Sequence, residues 1–435
     1  MKTLRALLTL AIGTVGPLAL LGPADAVGET CHGQAATLVG SPRRMVKGTD
    51  GPDVIVSNGA SWVLAGAGDD LICTTGTKGP GRNLSSLQVD GEAGNDVIDR
   101  RGDVDPAAVV LSTPGPGTDQ VIGSSSIDWV NAVDGERDVI STGGGDDHVS
   151  DSGTEPVPEP EQVDLGPGDD EYDAGPAFSL ALSVTGGDGD DSISFWLPRE
   201  GSWEVDAGRG ELRRDGTTVT GPGGFDRFES YTADGVIPGI QTSTPWRFVG
   251  SDGPDRVTSS AGLLGVELGG GDDELDLRSY RGRREVDFHG GAGRDKLVVH
   301  AWKGAPVRLD LRRGRLDIKG KSRGSATRFE DAEVSGSVLD VIGTGKDNVL
   351  TLASCRMATV LGLGGGDTLS LARLDRASCP LGVVRTAYGG AGADTLTGSA
   401  DPDLLYGGRG RDTADAGAGR DTCVSVEVRT DCARR

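Results

Sequence analysis

The chain has 435 residues, 66 acidic against 43 basic side chains, a net charge of −23, and 72 glycines. That sign repels nucleic acid and anionic membrane surfaces and suits cations as partners. Glycine at more than twice its usual share would fit disorder, but Val, Ile and Leu recur in register with the glycines, which a disordered chain does not require.

At the N-terminus, Lys2 and Arg5 precede the apolar run Leu7 to Leu21, and Ala24-Asp25-Ala26 offers small residues where a signal peptidase cuts. Pro17 interrupts the run, which is shorter than the roughly 20 residues a bilayer span needs. Residues 1–26 are therefore expected to be a cleaved signal peptide. Removing Lys2, Arg5 and Asp25 leaves 41 basic and 65 acidic residues, a net charge of −24. The mature protein is expected to be secreted and extracellular, without membrane insertion.

Residues 27–153 form an N-terminal repeat region with loose copies of one unit. They are Gly48 to Ile55, Gly66-Ala67-Gly68-Asp69-Asp70-Leu71-Ile72, Gly91-Glu92-Ala93-Gly94-Asn95-Asp96-Val97-Ile98, Gly115 to Ile122, and Gly143-Gly144-Gly145-Asp146-Asp147-His148-Val149. Residues 154–199 open on the acidic, proline-broken stretch Thr154 to Glu161, an exposed loop or joint, and continue through turns ending at Asp170 and Asp191.

Residues 200–298 and 299–397 read as two repeat blocks, a tandem duplication. Trp203-Glu204-Val205-Asp206 answers to Val307-Arg308-Leu309-Asp310, Arg227-Phe228-Glu229 to Arg328-Phe329-Glu330, and Phe248-Val249-Gly250 to Val341-Ile342-Gly343. Each block ends on glycine–aspartate turns, Gly269 to Asp273 and Gly290 to Asp295 in the first. In the second, Gly364-Gly365-Gly366-Asp367 reads as one residue short of the pattern.

From Gly389 through residues 398–435 the unit is strict. Gly389, Gly398, Gly407 and Ala416 hold its first position, Asp394, Asp403, Asp412 and Asp421 its sixth, and Leu396, Leu405, Ala414 and Cys423 its eighth. Glycines at positions one, two and four allow the positive φ of a tight turn, which exposes carbonyl oxygens beside the carboxylate at position six. Residues seven to nine extend as a strand whose eighth side chain points inward. Calcium takes six to eight hard oxygen ligands, more than one turn supplies but within reach of two stacked turns.

This unit resembles the hemolysin-type, or RTX, calcium-binding repeat. The resemblance implies an all-β fold, a right-handed parallel β-roll or β-solenoid of nine-residue Gly/Asp-rich repeats with insertions, holding calcium between turns two repeats apart. The Ca2+ ligands it points to are Asp53, Asp70, Asp96, Asp147, Asp170, Asp191, Asp273, Asp295, Asp367, Asp394, Asp403, Asp412 and Asp421. In the islands, insertions change the spacing and threaten to separate turns that have to stack. Relatives usually leave by a C-terminal export signal, whereas this chain carries the N-terminal signal described above.

Six cysteines in an exported chain read as disulfides. Proximity suggests Cys355–Cys379 and Cys423–Cys432, leaving Cys31 with Cys73; the last repeat would then be clamped at its open end. His32, His148, His289 and His300 read as structural, and no serine stands in a Gly-x-Ser-x-Gly elbow. Most carboxylate pairs are explained by repeat register, and repeats starting near Gly48 leave no space upstream for a catalytic domain. The expectation is a calcium-binding structural or surface-interaction protein without catalysis, its cell-surface or matrix ligand unnamed. The alternative is a polysaccharide-active enzyme on a β-helix, which would need grouped acids with aromatic platforms; the chain holds only 18 aromatics.

Overall fold

The computed structural model describes residues 28–78, 87–102, 105–132, 137–151, 162–174, 183–197, 201–231, 246–259, 263–280, 286–374 and 379–432. The expected signal at 1–26 and the joint at 154–161 lie outside the described residues. Among these residues there is no α-helix, only the 3-10 turns Ala207–Arg209 and Trp302–Gly304, and no helix is long and apolar enough to cross a membrane.

Short strands with one apolar side chain facing inward cannot close a core alone, so they stack. Ile55, Ile72, Ile98, Val121, Ile140, Val163 and Val184 pair in register along one face of the solenoid, all buried. The opposite face runs through 18 strands among the described residues, from Met45–Lys47 to Val428–Thr430, each parallel to its neighbours one coil away. Its inward column includes Val149, Tyr172, Ile193, Phe228, Val257, Leu275, Leu297, Leu350, Leu369, Leu396 and Ala414. The fold is thus the expected all-β parallel solenoid. Its core is thickest mid-chain, where Trp203, Trp246, Phe248 and Phe288 are buried and Phe228 meets Phe248 at a ring separation of 4.9 Å.

The first face departs from pure parallel stacking twice. Trp203–Asp206, Glu211–Arg214 and Thr217–Thr220 form an antiparallel meander, and Val307–Asp310, Arg315–Ile318 and Lys321–Thr327 form a second. Each sits at the same place in its block. One sequence equivalence shifts, however: Phe228 lies within the strand Arg227–Tyr231, whereas Phe329 precedes the strand Asp331–Gly336. Both rings are buried, so apolar matching alone placed them three residues out of register: the stack sets Ala332 where Phe228 sits.

Three disulfides fasten the stack: Cys31–Cys73, Cys355–Cys379 and Cys423–Cys432, with Cα separations of 5.5, 4.9 and 5.8 Å. Cys423 occupies the inward position in Thr422–Val424, the last strand of the first face, and its partner lies beyond the final strand Val428–Thr430.

Candidate metal sites

Between the faces, the chain turns at two edges, and at each edge the sixth-position acids stack into a ladder. Within each segment of a ladder, a rung is joined to the next by a hydrogen bond from its backbone N–H to a carboxylate oxygen of the acid one coil later, the Oδ1 in most pairs. At the edge leading into the first face, Asp53 donates to Asp70 (2.7 Å), Asp70 to Asp96 (2.8 Å), Asp96 to Asp119 (2.7 Å) and Asp119 to Asp138 (2.9 Å). At the other edge the series runs from Asp128 to Asp147 (2.7 Å), Asp170 (2.7 Å) and Asp191 (2.9 Å). It continues from Asp255 to Asp273 (2.8 Å) and Asp295 (3.1 Å), then from Asn348 to Asp367 (2.9 Å), Asp394 (2.8 Å) and Asp412 (2.9 Å). Asp226, Glu330 and Glu427 join it by accepting from Asp191, Asp295 and Asp412. Near the C-terminus the first edge is populated again, with Asp403 donating to Asp421 (2.8 Å).

The sequence separation between rungs is 18 residues in the strict run but 26 between Asp70 and Asp96 and 27 between Asp367 and Asp394. Insertions therefore lengthen the coil without breaking the stack. All thirteen predicted aspartates are brought into these ladders.

One Oδ1 is engaged per rung; the second oxygen is the unusual one. In Asp70, Asp96, Asp147, Asp170, Asp191, Asp273, Asp295, Asp367, Asp394, Asp412 and Asp421 it is buried and has no hydrogen-bond partner, and in Asp403 the Oδ1 is in that condition. Burial pushes Asp96, Asp147, Asp170 and Asp273 up to about 7, and Asp70, Asp191 and Asp367 up to about 6. The hydrogen bonds each accepts work the other way, and neighbouring carboxylates add to the rise. Asp295, Asp394 and Asp403 move in the same direction, again chiefly by burial.

Glycine at position one follows from the same crowding. A Cβ on Gly389 would fall on the Asp394 Oδ2 and on the Gly407 carbonyl oxygen one coil later, so a carboxylate and a main-chain oxygen converge there. At position four, Gly392 has φ +144° and lies against the Gly365 carbonyl, where no side chain fits.

Residues 388–423 match the model of the RTX calcium-binding nonapeptide repeat, in four copies. The chain carries RTX-type calcium-binding repeats. No curated protein matches it.

The donor set fits the ion that RTX repeats bind. Buried ionised carboxylates without partners are costly, and a hard divalent cation offsets that cost while accepting both carboxylate and carbonyl oxygens. Asp53 differs from the other twelve predicted ligands. Its Oδ1 accepts from Thr37 Oγ1, and its Oδ2 from the N–H and hydroxyl of Thr49. Burial would raise its pKa, but these bonds bring it below the usual carboxylate value.

Thr49 exposes a rule that the strict repeat hides. Each ladder segment starts at a turn with Ser or Thr in position two, bonded through its N–H and hydroxyl to the acid or amide four residues on: Thr49 to Asp53, Ser124 to Asp128, Ser251 to Asp255, Thr344 to Asn348 and Ser399 to Asp403. A first rung has no earlier N–H to cap, and its own turn supplies the donors instead. Asp128 is further engaged by the buried guanidinium of Arg100.

Sequence reasoning omitted Asp119, Asp128, Asp138, Asp226 and Asp255 from the RTX ligand candidates. Asp119 and Asp255 occupy the sixth position of recognisable weak repeats and could have been included. Asp226 does too, closing Gly221-Pro222-Gly223-Gly224-Phe225-Asp226, whereas Asp128 and Asp138 are marked chiefly by Asp-x-apolar ahead of a strand. The apparently short turn at Asp367 is full length: it begins at Gly362, and Leu363 takes position two at φ +83°.

Each histidine has a neighbour. His32 bonds Asp99 (2.5 Å), His148 lies 3.2 Å from Glu171, His289 meets Thr327 (2.8 Å) and His300 meets Ser335 (2.9 Å).

Proposed function

We propose that this is a secreted protein whose RTX-type repeats fold on calcium and hold the solenoid as a structural or surface-interaction scaffold without catalysis. The observation that carries the reading is the stack of buried carboxylate oxygens left without protein partners at successive rungs. Such a stack is unfavourable in the ionised state unless cations enter it. Three disulfides support an oxidising compartment, as does the N-terminal signal read from the sequence. Histidines paired to neighbouring side chains, and carboxylates tied into ladders, support a scaffold rather than a reaction centre.

Calorimetric titration of the purified mature chain with calcium is the test. Several sites per chain are expected, with folding followed in parallel by circular dichroism. A chain that takes up no calcium, or keeps its melting temperature and protease resistance under a chelator, would refute the reading. Turnover of a glycan substrate would refute its non-catalytic part.

A further inference from the structure

The two meanders are one device built twice, and they differ in charge. Strand register equates Glu204, Glu211 and Asp215 of the first with Arg308, Arg315 and Lys319 of the second, and Thr217 with Lys321. Residues 203–220 carry three basic and four acidic side chains; residues 307–327 carry seven basic and two acidic. Both of those acids, Asp310 and Asp317, are buried, whereas Arg308, Arg312, Arg313, Arg315, Lys319 and Lys321 are exposed.

The backbone does not require these cations. The first meander holds the same antiparallel register with acids at three of the matched positions. The reversals at Arg308 and Arg315 go with Asp317 in place of Arg213, and Arg315 pairs with Asp317 (2.9 Å) as Arg213 pairs with Glu204 (2.8 Å). Lys319 and Lys321 at the tip belong to no such exchange and point to something outside the fold. Elsewhere the chain is strongly negative, and a concentrated cationic surface on such a chain selects an anionic partner by local contact rather than by long-range attraction. Duplex nucleic acid is a poor match, because its two phosphates per ~3.4 Å would also meet the acidic edges of the solenoid. Residues 307–327 contain no aromatic side chain on which single-stranded bases could stack. A polysaccharide bearing sulfate or carboxylate groups at wider spacing can lie along the patch and leave that field.

We propose that the second meander, Val307 to Thr327, docks an anionic polysaccharide. The proposal rests on the surface-interaction reading above and names its partner chemistry. Arginine and lysine contribute differently: Lys319 and Lys321 are exposed point charges at the hairpin tip, while Arg308 and Arg315, whose Nε atoms face Asp340 (3.4 Å) and Asp317 (2.9 Å), present only the outer edge of each guanidinium.

The test uses the full mature chain loaded with calcium and dextran sulfate as probe, with uncharged dextran and duplex DNA alongside, at physiological salt. Binding to dextran sulfate that weakens with salt is expected, with none to dextran. Lys319→Asp/Lys321→Thr installs the residues the first meander already tolerates and should weaken binding roughly tenfold or more, one order of magnitude in Kd. Arg209→Ser in the first meander should leave binding unchanged. The idea fails if the native chain ignores dextran sulfate, if the double variant binds as well as the native chain, or if uncharged dextran binds equally. DNA binding of equal strength would move the partner to another class and overturn the assignment. Loss of binding on chelation, with the double variant still binding in calcium, would mean that calcium bridges the polymer to the acidic edges, and would also overturn it. Calcium titration of the double variant keeps the two proposals separable, since its calcium uptake is expected to match that of the native chain.

Discussion

For a single aspartate in these ladders, the environment favours the proton unless a cation is present. The carboxyls of Asp96, Asp147, Asp170 and Asp273 are pushed up to about 7 by burial, against roughly 3.9 in an unfolded chain. In the metal-free protein the folded state therefore binds more protons than the unfolded state. The stability this confers is full below about pH 4 and is lost as pH rises through 6 to 7. Calcium reverses the dependence, because it requires the ionised form and is displaced as pH falls through the same window. We predict that metal-free protein melts at a higher temperature at pH 5 than at pH 8, and that calcium-loaded protein does the opposite; equal melting temperatures across that range without metal would contradict the burial argument. Asp403→Ala and Asp412→Ala should each lower calcium stoichiometry and move the folding midpoint to higher calcium. Asp53→Asn should change stoichiometry far less, since Thr37 and Thr49 already occupy both oxygens. Most of this was legible from glycine spacing. The role of Asp128 was not, because its turn, Gly123 to Asp128, keeps only the first glycine of the signature.

At the scale of a coil or turn, the strand-and-turn unit and its inward apolar residue could be read directly, and the three disulfides are those that proximity suggested. What could not be read was how insertions behave: a 27-residue separation between Asp367 and Asp394 looks disruptive in a nine-residue frame, yet the ladder bond between them is 2.8 Å. Loop length costs little once the ends are fixed, since closure entropy grows only slowly with length. The weak element is the last coil. Thr422–Val424 and Val428–Thr430 each pair with one neighbour, and this end of the core is built of small residues, Cys423 stacked on Leu405 and Ala414 beneath the last strand. The Cys423–Cys432 bond closes a short loop there, and its removal should cost about 2–3 kcal/mol locally. Cys423→Ala/Cys432→Ser is expected to speed hydrogen exchange and proteolysis in residues 403–432 while the coils around Ile72 and Ile98 stay protected. Uniform loss of protection along the chain would show instead that the solenoid unfolds as one unit.

Taken whole, a solenoid in which each coil touches only its neighbours gains stability by summing coil and interface terms. In this molecule the interfaces have two parts with opposite signs in the absence of metal. The inward columns of Val, Ile, Leu and Phe favour stacking throughout. The stacked carboxylates oppose it within a chain whose net charge is −23. Mid-chain, Trp203, Trp246 and Phe248 supply a large apolar core, whereas the buried core of residues 389–432 holds no aromatic ring, only Leu396, Leu405, Ala414, Ala416 and Cys423. Calcium should therefore matter most at the C-terminal end. Extracellular calcium modules bind at roughly 10⁻⁴ to 10⁻³ M, so at about 1 mM calcium each site adds some ~0.4 to ~1.4 kcal/mol. Several sites together reach a few kcal/mol, a large fraction of a typical net stability. We predict that hydrogen exchange in residues 389–432 collapses to the rate of an unfolded chain when calcium is chelated, before protection around Phe228 and Phe248 is lost. Returning calcium should restore it, with a midpoint that shifts upward in Asp412→Ala. Protection of residues 389–432 that is indifferent to chelation would mean that the apolar columns and the Cys423–Cys432 bond suffice, leaving the carboxylate ladder there as a metal-free feature of the fold.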